Sequence, residues 1–385
     1  VGILLQQLCV YHFINTSEIL SKIISIATAV PTYKHLQKDI CKFADHIYSK
    51  DETESRKFHY LYRHSGIETR YSVMPDYSTT AADRQFYGKA ENLEPFPGLE
   101  KRMEWYAAHA AGISVAAIEK CISGKIKHHE ITHLITVSCT GMSAPGLDLE
   151  IMEQMDLPRN IFRTSVNFMG CYAAIHALKL ADVICRADDK ANVVIVCTEF
   201  CTLHFQKEIS IDNITSTLLF GDGCAAVLVQ SPASTSKGIC INSFFSDVAF
   251  KGKTDMSWKL SASGFLMTLS GYVPDLVKED FNRLVLKALQ HASVSKDEIT
   301  HWCIHPGGKK ILEAIEKSIT LPAESLQHSY RILNDFGNMS SPTILFVLQR
   351  IFEDLQENPR PAPAKIFAAA FGPGLTMETF IASYD

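Results

Sequence analysis

Short apolar runs alternate along the chain with longer segments in which apolar residues recur at helical spacing. The runs rich in β-branched residues predict strands at Lys22–Ala29, His133–Ser138, Phe162–Asn167, Val193–Thr198, Cys224–Gln230 and Ile239–Phe245. Helical spacing predicts helices at Leu99–Cys121, Tyr172–Arg186, Asp275–Ala292, Lys309–Ile319 and Ser341–Glu357. Several strands are apolar on both faces, which is typical of a buried sheet covered by helices. The alternation therefore predicts an α/β fold with parallel segments.

The polar stretch Ser231–Gly238 (SPASTSKG) marks one internal boundary. We expect residues 21–234 to form an N-terminal half and residues 235–385 a C-terminal half. The two halves are expected to pack together, because no long linker separates them. Residues 1–20 are mildly apolar but have no basic n-region, so we expect an N-terminal extension rather than a signal peptide.

Composition and charge narrow the function classes. Of 385 residues, 46% are hydrophobic and 21% are charged, which fits a globular chain long enough to bury an enzyme core. The net charge is −5 and the sequence has no cluster of Lys and Arg residues, so a nucleic-acid partner is not expected. The 11 cysteines include no CxxC pair, which favours a reducing cytoplasm over a disulfide framework. No apolar run reaches the roughly 18 residues of a membrane span.

One motif suggests a metal site that its surroundings do not support. The sequence His129–His133 (HEITH) matches the zinc-protease pattern HExxH, which works only on a helix that brings both histidines to one face. Here a polar, Gly-containing stretch precedes it and a predicted strand begins at its last residue. We therefore expect a solvated turn and no metal site.

A cysteine follows a strand and a glycine turn in Val166–His176 (VNFMGCYAAIH). The Ala-rich helix that follows places Cys171 near a helix N-terminus, where backbone N–H groups and the helix dipole favour an anion. A thiolate there has a lowered pKa and is a competent nucleophile. The alternative from local sequence is a buried structural cysteine, the common fate of the residue type.

Two loops in the second half have a similar design. His305 follows a strand-like run and is followed by Pro-Gly-Gly and a helix, and Asn338 follows Phe336-Gly337 just before another helix. Loops at helix entrances are where α/β proteins build their sites. Taken singly, a loop His is an ordinary polar group and the Asn an N-cap. Patterns for phosphate loops and for the GxSxG serine hydrolases are absent.

Together these motifs resemble the type III polyketide synthases, the chalcone synthase-like branch of the thiolase superfamily. The resemblance is carried by VSCTGMSAPGLDL, NFMGCYAA, LLFGDGCAAVLV, IHPGGKKIL, FGNMSSPTILFVL and FGPGLTMET, in that order. The first of these loops is closer to microbial members than to plant ones. The resemblance implies a thiolase fold, in which two similar βαβαβαββ halves form a five-layered αβαβα arrangement, and a homodimer.

The resemblance also implies a reaction and its residues. Cys171 corresponds to the family nucleophile, His305 and Asn338 to its catalytic His and Asn, and Phe220 to its gatekeeping Phe. A thiolate on Cys171 would pair with an imidazolium on His305. The partners would be acyl-CoA, as starter, and malonyl-CoA, with no metal or prosthetic group.

Other positions differ from the plant chalcone pattern. Cys139, Cys201, His204 and Met267 correspond to cavity-lining positions of the family. Ala144 stands where many relatives carry a Met that reaches the partner subunit's cavity, which implies a larger cavity and room for a long acyl chain. Three basic residues, Arg63, Arg70 and Lys309, are expected near the tunnel mouth as CoA contacts or as ordinary solvated charges.

Three functions stay open on the sequence. The first is iterative condensation followed by cyclisation, with an alkylresorcinol or alkylpyrone as a candidate product. The second is a single-round condensing enzyme similar to ketoacyl-ACP synthase III. The third is a non-catalytic thiolase-fold partner subunit, which the presence of Cys171, His305 and Asn338 disfavours.

Overall fold

The computed structural model describes residues 21–384. The predicted extension at residues 1–20 therefore lies outside the described residues. The strands are β1 (Lys22–Ala29), β2 (Tyr33–Leu36), β3 (Thr69–Ser72), β4 (His133–Ser138), β5 (Phe162–Asn167), β6 (Asn192–Phe200), β7 (Asp222–Gln230), β8 (Ile239–Val248), β9 (Met256–Ser261), β10 (Gly264–Leu269), β11 (His301–Ile304), β12 (Ala364–Gly372) and β13 (Thr376–Tyr384). The helices are α1 (Gln37–Tyr48), α2 (Glu52–Arg63), α3 (Leu99–Ile122), α4 (Leu147–Gln154), α5 (Ala173–Ala187), α6 (Ile211–Leu219), α7 (Val273–His291), α8 (Lys309–Ile319), α9 (Gln327–Phe336) and α10 (Thr343–Glu357).

Nine of these strands form one mixed sheet in the order β11-β12-β13-β8-β1-β7-β6-β4-β5. The first half supplies β1 and β4–β7, and the second supplies β8 and β11–β13. The halves join where β1 pairs with β8 at Lys22↔Cys240 and Ile23↔Ile239. The loop between β7 and β8 contains the polar stretch at which we divide the chain, and that division stays a prediction.

The two halves repeat one pairing pattern. In the first, β1–β7 and β7–β6 are antiparallel and β6–β4 is parallel. In the second, β8–β13 and β13–β12 are antiparallel and β12–β11 is parallel. The first half also has β5, whereas the second is one strand short of the predicted pattern. At the corresponding place, ahead of α10, Asn338 makes only an isolated parallel bridge with Phe220.

Three apolar clusters separate the layers. The middle cluster contains α5 and α10 with strand residues of both halves. The second packs α3 and α4 on the outer face of the first half, and the third packs α7 and α8 on the outer face of the second. This is the predicted five-layered thiolase arrangement. β6 and β7, inside the sheet, are covered on both faces, as their continuous apolar sequences predict.

All predicted strands and helices are present, with ends that differ by up to about three residues. The HEITH motif forms a short 3-10 turn at His128–Glu130, followed by β4, so its two histidines do not share a helix face. Within residues 21–384, no helix is both long and apolar enough to cross a membrane.

Candidate active site

Cys171 lies in the turn between β5 and α5. The chain leaves β5 through Phe168 with φ of 61° and Gly170 with φ of 85°, and the Ala173 N–H closes the turn onto the Gly170 carbonyl at 3.0 Å. A Cβ on Gly170 would lie 2.2 Å from Cδ of Pro373, so this turn requires glycine twice, for its conformation and for its space. The thiol is thereby placed at the start of α5, as predicted.

His305 immediately follows β11. Its backbone N–H donates to the Ala369 carbonyl at 2.9 Å, which extends the parallel pairing of β11 with β12 by one residue. The side chain is 1% exposed, and neither ring nitrogen has a hydrogen-bond partner. A buried imidazole with both nitrogens unused is expected to interact with a ligand.

Asn338 lies between α9 and α10 and joins the two halves. Its backbone N–H donates to the Leu219 carbonyl at 2.9 Å, and its carbonyl accepts from the Gly221 N–H at 2.9 Å. The side-chain Oδ1 accepts from the Ser340 N–H at 2.8 Å. The amide Nδ2 makes a long contact, 3.4 Å, with the Gly307 carbonyl, and the amide also interacts with the Cys171 sulfur. The amide is therefore directed at the Cys171 thiol, where a ligand bound to that sulfur would meet it.

One cavity brings these three residues together. Its wall is mainly apolar and aromatic, and it is lined by Tyr77, Cys139, Thr140, Gly170, Cys171, Cys201, Thr202, His204, Phe205, Gln206, Asn213, Ser216, Thr217, Phe220, Met256, Trp258, Phe265, Met267, Leu269, His305, Gly307, Ile311, Asn338, Ser340, Phe371 and Pro373. Apolar walls with a few convergent polar groups are typical of a small-molecule site.

The protonation of Cys171 and His305 differs from the prediction. Burial raises the pKa of Cys171 to about 11; the Ser340 hydroxyl opposes this, the Glu199 charge adds to it, and the Asn338 amide opposes it. Burial lowers the pKa of His305 to about 3. The predicted thiolate–imidazolium pair is therefore not the favoured state of the free protein. Loss of water disfavours both charged forms, and neither ring nitrogen of His305 has a partner that would stabilise an imidazolium.

Glu199, at the end of β6, was not anticipated from the sequence. Its carboxylate accepts from the Ser341 hydroxyl at 2.6 Å, the Cys139 N–H at 2.8 Å and the Thr140 hydroxyl at 2.8 Å. Burial raises its pKa to about 7, and these hydrogen bonds oppose the rise. Glu199 could have been recognised in the sequence as a charged residue in the otherwise apolar and neutral strand VVIVCTEF. Ser340, whose hydroxyl lowers the pKa of Cys171, was also missed, although it lies in the GNMSS motif.

The predicted cavity-lining residues lie mostly where expected. The cavity is lined by Phe220, Cys139, Cys201, His204 and Met267. The His204 ring is fixed, because Nε2 lies 2.8 Å from the Thr140 carbonyl and Nδ1 accepts from the Phe265 N–H at 3.0 Å. It also stacks on the Phe265 ring at 4.3 Å. Burial lowers its pKa to about 3, so His204 is a neutral wall of the cavity.

Three further predicted residues lie on the surface. Ala144 is exposed in the loop between β4 and α4 and does not line the cavity of its own chain. Arg63 is exposed at the end of α2, and Lys309 begins α8 between the cavity-lining residues Gly307 and Ile311.

The prediction that Arg70 lies at a tunnel mouth is wrong. Its side chain is 2% exposed in β3 and forms part of the core. Nε donates to Gln37 Oε1 at 2.9 Å and Nη1 to the Phe220 carbonyl at 2.5 Å. Arg70 thus holds the backbone at Phe220. The sequence alone does not show whether an arginine is buried in this way or exposed at the surface.

Family comparisons agree with this architecture. The chalcone and stilbene synthase N-terminal domain matches residues 13–233, and the C-terminal domain of the same family matches residues 244–383. A Mycobacterium tuberculosis protein described as alpha-pyrone synthesis polyketide synthase-like is 31% identical over 73% of this chain and 72% of its own. The 1,3,6,8-tetrahydroxynaphthalene synthase of Streptomyces peucetius is 26% identical over 93% and 92% of the two chains. The crystal structure of PKS-I from the brown alga Ectocarpus siliculosus has the same fold, with a TM-score of 0.88 at 24% identity, over 95% of this chain and 99% of that one.

Proposed function

Because the chain belongs to the chalcone and stilbene synthase family of type III polyketide synthases, we propose that it loads an acyl-CoA starter on Cys171 and extends it iteratively with malonyl-CoA. The observation that carries the proposal is that Cys171, His305 and Asn338, from three distant loops, line one apolar cavity. A sulfur nucleophile, an imidazole and an amide donor are the groups that acyl transfer requires.

Loading begins from the neutral thiol and the neutral imidazole. The Cys171 sulfur attacks the acyl-CoA thioester carbonyl while His305 accepts the thiol proton, and the proton then passes to the departing CoA sulfur. The products are acyl-S-Cys171 and free CoA. Proton transfer during the attack avoids building two charges in a site that excludes water.

Extension depends on an enolate. Malonyl-CoA loses CO₂, and the electron pair of the broken C–C bond becomes an enolate whose charge lies on the thioester oxygen. An N–H of His305 and the Asn338 amide stabilise that oxygen, an effect of about 10²–10³ in rate per donor. The enolate carbon then attacks acyl-S-Cys171 and releases the thiolate, so the proposed steps use no group beyond the CoA substrates.

Phe220 and the neighbouring apolar walls favour the loss of CO₂. The Phe220 side chain is 9% exposed at the cavity wall, on the backbone segment that Asn338 and Arg70 hold. An apolar surface beside the malonyl carboxylate destabilises its charge relative to neutral CO₂.

Two surface cations are proposed to bind the phosphates of CoA. A Cβ on Gly66 would lie 3.2 Å from the Lys309 side chain, so Lys309 packs on the loop that follows Arg63. Arg63 and Lys309 therefore lie on the same side of the molecule, and Lys309 is two residues from Gly307, which lines the cavity. Phosphate oxygens are suited to such exposed donors.

The proposed product class is an alkylpyrone or alkylresorcinol. The description of the mycobacterial relative as acting in alpha-pyrone synthesis supports it. Small or flexible cavity residues such as Cys139, Cys201 and Met267 are compatible with a long acyl chain. We also propose a cytoplasmic location, because 11 cysteines without disulfide spacing suit a reducing compartment.

We further propose a homodimer that forms through β5. This strand ends the large sheet and pairs only with β4 in the described part of the chain. Phe162 is 70% exposed, and Met142 and Leu149 of the neighbouring loop and helix are 50% and 40% exposed. A strand edge beside exposed apolar residues is suited to a second copy of the chain. Ala144 lies in the same loop, so its contribution would be to the partner's cavity.

A product analysis tests the function. The protein is incubated with acyl-CoAs of increasing length and labelled malonyl-CoA, and products and intact protein are measured by mass spectrometry. We expect products of two or more extensions and an acyl adduct on Cys171, both lost in Cys171→Ala. One extension only would favour the single-round enzyme, and undiminished condensation by Cys171→Ala would contradict the nucleophile assignment.

A further inference from the structure

Gln206 carries an unused hydrogen-bond acceptor at the cavity. Its side chain is 4% exposed and lines the cavity beyond the 3-10 turn Cys201–His204. The amide Nε2 donates to the His204 carbonyl at 3.1 Å and to the Ser263 carbonyl at 3.0 Å, while Oε1 has no partner. Turning the amide over would place Oε1 against two carbonyl oxygens, which cannot donate. The orientation of the amide is therefore fixed by its neighbours.

The neighbouring polar side chains of the cavity already have partners. His204 uses both ring nitrogens on the backbone. The Thr202 hydroxyl donates to the Asp222 carboxylate at 2.6 Å, and the Thr217 hydroxyl donates to a carbonyl one turn back in α6 at 2.8 Å. Gln206 Oε1 is thus the acceptor that this part of the wall leaves unpaired.

One other cavity residue has the same property. Among the cavity-lining residues within 21–384, buried side-chain nitrogen or oxygen atoms without a partner belong only to Gln206 and His305. In the proposed reaction the His305 nitrogens act on the substrate. A buried acceptor without a donor is costly, so it persists where a bound molecule supplies the donor.

The surroundings restrict the chemistry of that donor. Arg102 lies beside Gln206. A Cβ placed on Gly264 would be 2.9 Å from Arg102 Nε and 3.3 Å from Gln206 Nε2, so the two side chains flank the same backbone position. The guanidinium is fully buried and donates to the Pro97 and Leu203 carbonyls, while its Nη2 has no partner, so a group that both donates and accepts would suit this corner. A cation without a carboxylate partner disfavours an ammonium donor nearby. A neutral hydroxyl fits the remaining acceptor.

We propose that Gln206 Oε1 accepts a hydrogen bond from a hydroxyl group on the acyl chain and so selects among substrates of the condensation proposed above. The hydroxyl has two possible sources with the same chemistry. It is either carried by the starter or formed as an enol of a β-keto group during extension. A site that pairs with a hydroxyl discriminates against analogues that lack it.

The test compares acyl-CoAs of equal length with and without a chain hydroxyl, placed at successive carbons. In wild type we expect a higher kcat/KM for one hydroxylated starter. We call the value of kcat/KM for the hydroxylated acyl-CoA divided by that for the plain acyl-CoA the starter ratio. In Gln206→Met we expect the starter ratio to fall by about tenfold. Asn213→Leu is the matched control: it removes another cavity amide, whose Nδ2 already donates to the Glu208 carbonyl at 2.9 Å, and should leave that ratio unchanged.

Each outcome decides between the sources. An altered starter ratio assigns the hydroxyl to the starter. An unaltered ratio with shortened or differently cyclised products from plain starters assigns it to the enol. If Gln206→Met changes neither, the acceptor binds only water and the inference is overturned. Calorimetric binding of the same acyl-CoA pairs to Cys171→Ala gives the ratio without turnover, so failure of the inference is distinct from failure of the proposed condensation.

Discussion

Cys171 experiences two opposing influences. The start of α5 favours a thiolate, whereas burial favours the thiol and raises its pKa to about 11. His305, which is buried to a similar degree, remains neutral because burial lowers its pKa to about 3. At neutral pH these pKa values favour the thiol and the neutral imidazole, so in the proposed loading step the proton moves to His305 as the sulfur attacks the thioester.

The pH dependence of alkylation tests this protonation state. Below its raised pKa, Cys171 is a thiolate only in a small fraction, which grows about tenfold per pH unit. We expect the iodoacetamide rate at Cys171 to rise steadily from pH 6 to pH 10, measured by peptide mass spectrometry with Cys171→Ala as the control for other cysteines. A rate that is high and level between pH 6 and pH 9 would instead indicate the ion pair.

Glu199 is expected to alter that profile in one direction. Its pKa is raised to about 7, so it is neutral at low pH and, when charged above pH 7, raises the pKa of Cys171. Glu199→Gln is neutral at every pH. Its Cys171 should therefore be alkylated severalfold faster than wild type at pH 8 and at the same rate at pH 5.5. Equal rates at pH 8 would show that the carboxylate does not act on the thiol.

At the scale of elements, the site depends on contacts between loops of different halves. Asn338 is bound through its backbone to the segment after α6, and Arg70 of β3 reaches the same segment at the Phe220 carbonyl. The position of Phe220 is thus set by β3 and by the loop ahead of α10. Neither contact is close in sequence, so a change in either element should move the cavity wall.

Two arginines at the ends of neighbouring elements provide a matched pair. Arg70→Met leaves Gln37 Oε1 and the Phe220 carbonyl without their buried donor, and should lower the free energy of unfolding by about 2–4 kcal/mol. Arg63→Met removes an exposed charge and should change it by less than about 0.5 kcal/mol. Denaturant unfolding of both variants measures this difference. Equal losses would contradict the assignment of Arg70 to the core.

At the scale of the whole molecule, the large sheet ends at β11 and β5, and each of these strands pairs on one side only within residues 21–384. β11 has only four residues, whereas β5 has six and exposes most of its side chains. The proposed dimer covers the β5 edge and brings Ala144 of one copy toward the cavity of the other. In this proposal the single chain contains the three catalytic residues, and the partner adds Ala144 to the cavity wall.

A charge placed on this edge tests the dimer. Phe162→Asp puts a carboxylate on the open strand and should shift the protein from dimer to monomer in sedimentation analysis. Phe250→Asp is the control, because Phe250 is 79% exposed and lies outside the large sheet. Both variants remaining dimeric would exclude β5 as the interface, and a monomeric wild type would exclude the dimer.

Local sequence was sufficient for elements with strong periodicity. The apolar runs of β1 and β4 and the amphipathic α8 have the predicted bounds, because each run is long enough to require burial on its own. The small helices α1 and α2 and the Ala-rich strand β12 were not predicted. The alanines of β12 favour a helix on their own, and pairing with β11 and β13 makes this segment a strand.

The proposed reactive residues were likewise predicted from the sequence alone, since Cys171, His305 and Asn338 lie in recognisable turns before helices. Only the tertiary structure decided the charge states of Cys171 and His305, because residues of both halves exclude water from these two side chains. It also decided that Arg70 is buried, that the Glu199 charge raises the pKa of the Cys171 thiol and that Gln206 keeps a free acceptor. Solvation and pairing depend on what surrounds a side chain in space, and a linear pattern does not contain that information.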